Sequence, residues 1–403
     1  MKKIGLFLDY EPLGGGTFQY NQTMVEAVSN LPATQFEVIV GYTSKLWKSY
    51  LMEYPSLQTI YVEKSFWSRA IGKIWKELNL PMGWWRKINP LFHPVSKTIV
   101  KQDCDLWIFP SQDQWAYQVD VPALGTIHDL MHRYEKFPEI SDKGEYKRRE
   151  YHYSHMCRFA RGVLVDSEIG KKQVMESYAV QPNQVFILPF VPPKCIYNTN
   201  YDKSLEGKYD LPSKYIFYPA QFWEHKNHKN LIKAIKILSD KLPDIHLVLV
   251  GSKKNGYDSV VDLVKSLELE NRIHFLGYVP EQDILYIYKK ARAMIMPTFC
   301  GPTNIPPLEG FAAGCPVAVS NVYGMPEQVG DAALLFDPHS EQDIANIIYQ
   351  LWNNDELCKK LIEKGYLKNQ QWGQEHFNRQ LQNILSEILK REKSEKIGDF
   401  YGT

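Results

Sequence analysis

Glu309 falls in the first turn of a short helix that the sequence predicts from Pro306 or Pro307 to a stop at Gly314. Proline suits that first turn, where a missing N–H costs nothing, and glycine suits the position just past the last turn. Such a helix points unpaired N–H groups and the positive end of its dipole into the loop 301–305, which makes an anion site. A carboxylate beside a bound anion would repel it, so Glu309 is expected to accept hydrogen bonds from hydroxyl groups. Phosphate next to hydroxyls describes a sugar nucleotide, and Thr303, Asn304 and Ile305 line the same loop.

Three further constellations bear on that chemistry. Lys226 lies in Gln221-Phe222-Trp223-Glu224-His225-Lys226-Asn227-His228-Lys229, ahead of an amphipathic helix. Cations at a helix start oppose the dipole, and a bound anion would remove the conflict. Gly14, Gly15 and Gly16 follow the first apolar run and precede a helical pattern, so backbone can approach a phosphate closely there. His128 and Asp129 follow the apolar run 123–127, and Asp129 could orient the imidazole. No Gly-x-Ser-x-Gly elbow accompanies them, which argues against a Ser-His-Asp hydrolase.

The stretch 301–320 resembles the donor-site motif of the retaining glycosyltransferases called family 4, or glycosyl transferases group 1. The usual motif has a Glu, seven residues, a second Glu, then a small-residue helix and Gly-Cys-Pro-Val. Glu309 matches the second Glu and Gly314-Cys315-Pro316-Val317 the ending, whereas Gly301 stands where the first Glu is usual. Lys226 matches the lysine on the donor diphosphate, and the usual arginine falls on Gln221, with His225 or Lys229 as compensating cations. Gly15 and Gly16 match the loop brought to the donor phosphates, and His128 the histidine beside the transferred sugar. Gly324, Pro326, Glu327 and Gly330 match the loop at the base and ribose end. The resemblance implies the GT-B fold and retaining hexosyl transfer from a nucleoside diphosphate sugar to a hydroxyl of a growing glycan, with no metal or other cofactor. His128, Lys226 and Glu309 are then the catalytic candidates. A sugar-nucleotide epimerase on the same architecture and a catalytically silent sugar-nucleotide- or glycan-binding subunit are the alternatives.

Two metal-like patterns read otherwise. Asp103-Cys104-Asp105 precedes an apolar run, whereas the Asp-x-Asp of the single-Rossmann (GT-A) transferases ends one. His152 and His155 share a helical face but lack acidic or thiol partners at ligand spacing.

The elements that position these residues alternate. Apolar runs rich in Val, Ile and Leu fall at 3–8, 37–41, 58–62, 105–109, 123–127, 162–165 and 185–188, then at 214–219, 245–250, 272–276, 293–296, 316–319 and 333–336. Amphipathic patterns separate them, as in Leu231, Ile235 and Leu238. Runs apolar on both faces with helices between them predict parallel, doubly wound α/β sheets. Residues 192–212 lack periodicity, so two Rossmann-like domains are expected, 1–195 and 213–373, joined by a linker at 196–212 and facing a cleft. A terminal helix and tail occupy 374–403. In the resembled family that helix crosses back to the first domain.

Composition narrows the partners. With 403 residues, 44% hydrophobic and 13% aromatic, the chain can build two sizeable cores. A net charge of +1 exerts no global pull toward nucleic acid. The six cysteines are scattered, which suits reduced thiols and a cytoplasmic protein. No run approaches a membrane span. Residues 63–97, however, carry seven Lys or Arg against two Glu, among Phe66, Trp67, Trp75, Trp84, Trp85 and Phe92. That mixture suits peripheral contact with an anionic inner-leaflet surface or a lipid-linked glycan acceptor.

Overall fold

The computed structural model describes the chain except residues 13–14, 65–74, 76–80, 198–204, 206 and 402–403, and except the side chains of 392–401. All thirteen expected strands form, within about two residues of their predicted bounds. β1 (Lys2–Leu8), β2 (Phe36–Tyr42), β3 (Gln58–Tyr61), β4 (Leu106–Phe109), β5 (Ala123–Thr126), β6 (Gly162–Val165) and β7 (Val185–Ile187) make one parallel sheet. Its order is β3-β2-β1-β4-β5-β6-β7. β8 (Ile216–Pro219), β9 (Leu247–Val250), β10 (Ile273–Gly277), β11 (Ala293–Met296), β12 (Val317–Ser320) and β13 (Leu334–Phe336) make the second, ordered β10-β9-β8-β11-β12-β13.

Each sheet reverses direction once, between β1 and β4 and between β8 and β11. Such switch points leave a crevice at the carboxyl ends of the strands, where open α/β sheets bind ligands. The central strands are buried on both faces because crossover helices cover them, whereas the edge strand β3 is largely exposed. The second core draws on Phe217, Leu249, Ile295 and Val319 from strands and on Leu231, Ile235 and Ile348 from helices. The first centres on Trp107, Phe109, Trp115 and Met156.

The two compact units do not follow chain order. The first comprises Met1–Leu130, Lys147–Pro189 and Gln374–Thr403, and the second Met131–Tyr146 and Phe190–Gly373. The helix Gln374–Tyr401 therefore belongs to the first unit. Its Phe377, Leu381, Ile384 and Leu385 are buried there, and Phe377 meets Tyr20 edge-on at 6.2 Å. The boundary lies earlier than residue 195, because Ile196 of the short turn Lys194–Tyr197 is buried in the second core. The excursion 131–146 was not foreseen. It is too short and irregular to show a period, so only its contacts reveal where it belongs.

Candidate active site

The loops after β8 and β11 meet at the second unit's switch point. After β8 the chain makes a short 3₁₀ turn, Glu224–Lys226, and Asn227 reverses it in a left-handed conformation with φ 58°. The Asn227 side chain donates to the carbonyls of Pro297 and Pro338, each at 2.8 Å, which fixes the turn. The Lys226 ammonium donates to Asn304 Oδ1 at 3.3 Å, joining this loop to the one after β11. Asn304 is held in turn by Gln328. Its N–H reaches Gln328 Oε1 at 3.1 Å and its carbonyl accepts from Gln328 Nε2 at 2.7 Å.

The helix Pro306–Ala313 begins just beyond, with Ile305 as its buried cap and Gly314 ending it at φ 71°. Glu309 is only 4% exposed, and its Oε2 accepts from the Tyr288 hydroxyl at 2.8 Å. Thr303 is buried beside the same loop. Glu327 stands exposed in the first turn of the helix Met325–Val329. Lys226, Thr303, Asn304, Ile305 and Glu309 thus share one set of loops. Gln221 is nearby in sequence, but its Oε1 accepts from Trp223 Nε1 at 3.0 Å. The cations expected to compensate for it are themselves paired. His225 Nδ1 lies 2.7 Å from Glu139 Oε1, and Lys229 lies 3.7 Å from Glu224. Carboxylates therefore offset part of the positive charge that the sequence left to a bound anion.

Gly301 has φ 109°, and a Cβ there would stand 2.7 Å from Asn304 Nδ2. The loop's own path thus explains why glycine replaces the usual first Glu.

The remaining candidates belong to the first unit. Gly15, at φ 88° and ψ 169°, precedes the helix Gly16–Ser29 at the end of β1, while Gly14 lies outside the described residues. His128 follows β5. Its Nε2 faces the Pro110 carbonyl at 3.0 Å, and Tyr20 meets its ring edge-on at 4.9 Å. Burial pushes the His128 imidazolium down to about 4, against the smaller opposite pull of Asp129 and Pro110. The ring is therefore neutral at pH 7. Asp129 is bound to Arg149 at 3.1 Å.

The metal-like patterns have structural partners. Asp105 takes the Lys2 ammonium and, at 2.7 Å, the Lys3 N–H, at the amino end of β4. His152 faces the Tyr117 hydroxyl at 3.3 Å and His155 the Tyr151 carbonyl at 2.7 Å. Among the described residues no group of three His, Cys, Asp or Glu side chains is placed to hold a metal ion.

Three residues of consequence escaped the sequence reading. Tyr288 sits in an ordinary amphipathic helix, Glu281–Lys290, with nothing to mark it. Gln328 follows Glu327 inside a loop already under suspicion, so its position, though not its grip on Asn304, was in view. Glu139 is 86 residues from His225 and gave no signal.

Residues 205–368 match the sequence family Glycosyl transferases group 1. The second unit thus carries this family's sequence pattern. This glycosyltransferase is 24% identical over 304 residues to the O-antigen chain mannosyltransferase B of Escherichia coli, covering 73% of this chain and 77% of that one. It is 25% identical over 293 residues to the D-inositol 3-phosphate glycosyltransferase of Corynebacterium aurimucosum, covering 70% and 69%. Among solved structures, Anabaena HepE with UDP and glucose aligns at TM-score 0.72 and 17% identity, over 96% of this chain and 100% of that one. The sucrose-phosphate synthase of Thermosynechococcus elongatus aligns at 0.73 and 17%, over 97% and 100%. The glycosyltransferase therefore has the two Rossmann-like domains of the GT-B fold.

Proposed function

We propose that this glycosyltransferase moves a hexose from a nucleoside diphosphate sugar to a hydroxyl of a growing glycan, with retention and without a metal. The Lys226–Asn304 contact carries the reading, because it joins two loops at the switch point of the sheet whose residues match the family. Lys226 holds the diphosphate and stabilises charge as it leaves. Glu309 accepts from the ribose hydroxyls, and Thr303 and Asn304 offer neutral partners to the sugar where the family has a carboxylate. Gly15 and Gly16 give backbone to the phosphates, His128 lies beside the transferred hexose, and Glu327 supports the base and ribose end. The leaving diphosphate takes the acceptor proton on the same face of the sugar.

The relatives' names favour a cell-surface glycan. Besides the Escherichia coli enzyme, the chain is 26% identical over 217 residues to the O-antigen chain mannosyltransferase RfbU of Salmonella typhimurium. A mannosyl donor is accordingly the first to test. We further place the protein on the cytoplasmic side of a membrane, touching it through the helix Met82–Phe92, whose Trp84, Leu91 and Phe92 are exposed. No described helix is long and apolar enough to cross one.

Incubation with a panel of guanosine and uridine diphosphate hexoses tests the function. Transfer, or slow hydrolysis of one donor, is expected, unaffected by EDTA. Release of a free epimer would make the protein an epimerase, and tight binding without turnover a silent subunit.

A further inference from the structure

The excursion 131–146 begins three residues after His128 and is built into the second unit, across the loops that carry the donor residues. Phe137 stacks on Phe299 of the β11 loop, at 5.5 Å and 17°. Met131, Ile140 and Cys300 are buried together beside that pair. Glu135 accepts from the Tyr323 hydroxyl in the loop after β12. Glu139 reaches the loop after β8, and Asn255 beyond β9 donates to its Oε2 at 2.8 Å.

Glu139 makes the most specific of these contacts. Its carboxylate, 6% exposed, accepts the His225 backbone N–H at 3.0 Å and faces Nδ1 of the same residue at 2.7 Å. The His225 carbonyl accepts from the Phe299 N–H at 2.9 Å. The residue before Lys226 is therefore clamped from both sides, by Glu139 and by the β11 loop. Burial alone would push the Glu139 carboxyl up, but the bonds from His225 and Asn255 outweigh it and bring it down to about 2. It is a carboxylate throughout the neutral range.

Resting on the proposed reaction, we infer that Glu139 is a positioning residue for the leaving group: through His225 it fixes the turn that presents Lys226 to the donor diphosphate. The turn Glu224–Lys226 is only three residues long, so a released His225 lets the ammonium drift. A misplacement of about 1 Å can cost about a hundredfold in rate. No atom of Glu139 need touch the donor for this to hold.

The experiment is a double-mutant cycle on the full chain with the donor that the panel identifies. Glu139→Ala should lower kcat about thirty- to a hundredfold with KM changed less than about threefold. Glu139→Gln, which keeps an acceptor for the His225 N–H, should recover most of that loss, and it keeps the test alive if the alanine variant does not fold. In a Lys226→Ala background, Glu139→Ala should add less than about threefold, because the side chain it positions is already gone. Equal losses in both backgrounds would overturn the inference while leaving the transferase reading intact. A glutamine variant as poor as alanine would overturn it too. Wild-type protein that turns over no nucleotide sugar would overturn the reading and this inference together.

Discussion

At the scale of single residues, the proposed donor site depends on side chains held by other side chains. Glu309 is a buried carboxylate with a tyrosine hydroxyl on one oxygen. A hydrogen bond to a charged group contributes about 1.5–3 kcal/mol. Glu309→Ala should therefore weaken nucleoside diphosphate binding about ten- to a hundredfold in a calorimetric titration. Unchanged affinity in a folded variant would remove Glu309 from the ribose. Lys226→Ala should fall mainly on kcat, by about a hundred- to a thousandfold, and a normal kcat would move the leaving-group role elsewhere. Gly301 offers a sharper comparison. Restoring the family's glutamate by Gly301→Glu puts a side chain at φ 109° and drives its Cβ toward Asn304. Such backbone strain costs about 1–3 kcal/mol, and the displaced Asn304 loses Lys226. Donor binding should weaken, and a variant that binds the donor more tightly than wild type would show that the loop accommodates the usual residue.

At the scale of elements, the helix Met82–Phe92 shows why composition alone overstated the basic face. Met82, Trp85 and Asn89 turn inward, and Trp85 packs against Trp75 at 5.2 Å. Arg86 is buried on Asp120 at 2.9 Å, and Lys64 is paired with Asp9 at 2.7 Å. Two of the seven cations of 63–97 are thus neutralised within the fold. Arg69, Lys73 and Lys76, with Phe66 and Trp67, lie outside the described residues. What faces outward on this helix is Trp84, Leu91 and Phe92, spaced to share one side, with Lys87 beside them. Fully withdrawing such a side chain from water contributes about 1.5–3 kcal/mol. Vesicle binding should therefore depend more on these apolar groups than on charge. Replacing all three by serine should abolish co-sedimentation with phosphatidylglycerol vesicles, whereas Lys87→Gln should weaken it only slightly and make it less salt-sensitive. Wild type that stays in the supernatant at low salt would leave this face without a membrane role.

At the scale of the whole molecule, periodicity revealed what repeats and missed what does not. Apolar runs alternating with amphipathic helices are local patterns, so thirteen strands and both sheets were legible. The local settings of Glu309 and Lys226, a helix's first turn and a loop before a helix, were legible because helix ends and loops carry their own signals in proline, glycine and charge. Glu139, Tyr288 and the allegiance of 131–146 were not, since each is defined by a partner far along the chain. The same long-range packing predicts how the protein answers acid. His128 in the first unit is half-buried and His228 in the second is buried. His228 stacks on Phe222 at 4.4 Å and bonds to the Ala220 carbonyl, and burial pushes its imidazolium down to about 3. An unfolded histidine titrates near 6.5. Between that value and the folded values of about 4 and 3, the unfolded chain binds more protons, so stability is full above about pH 6.5 and falls as the pH drops. Well below 6.5 the slope approaches about 1.4 kcal/mol per pH unit for each ring. For units of this size each kcal/mol lowers Tm by about 2–4 °C. Calorimetric scans at pH 7.5, 6.0 and 5.0 should show a loss that steepens below pH 6, and His228→Phe should flatten it for the second unit even if its Tm at pH 7.5 is lower. A His228→Phe protein with the wild-type pH slope would mean that the acid sensitivity arises from other groups.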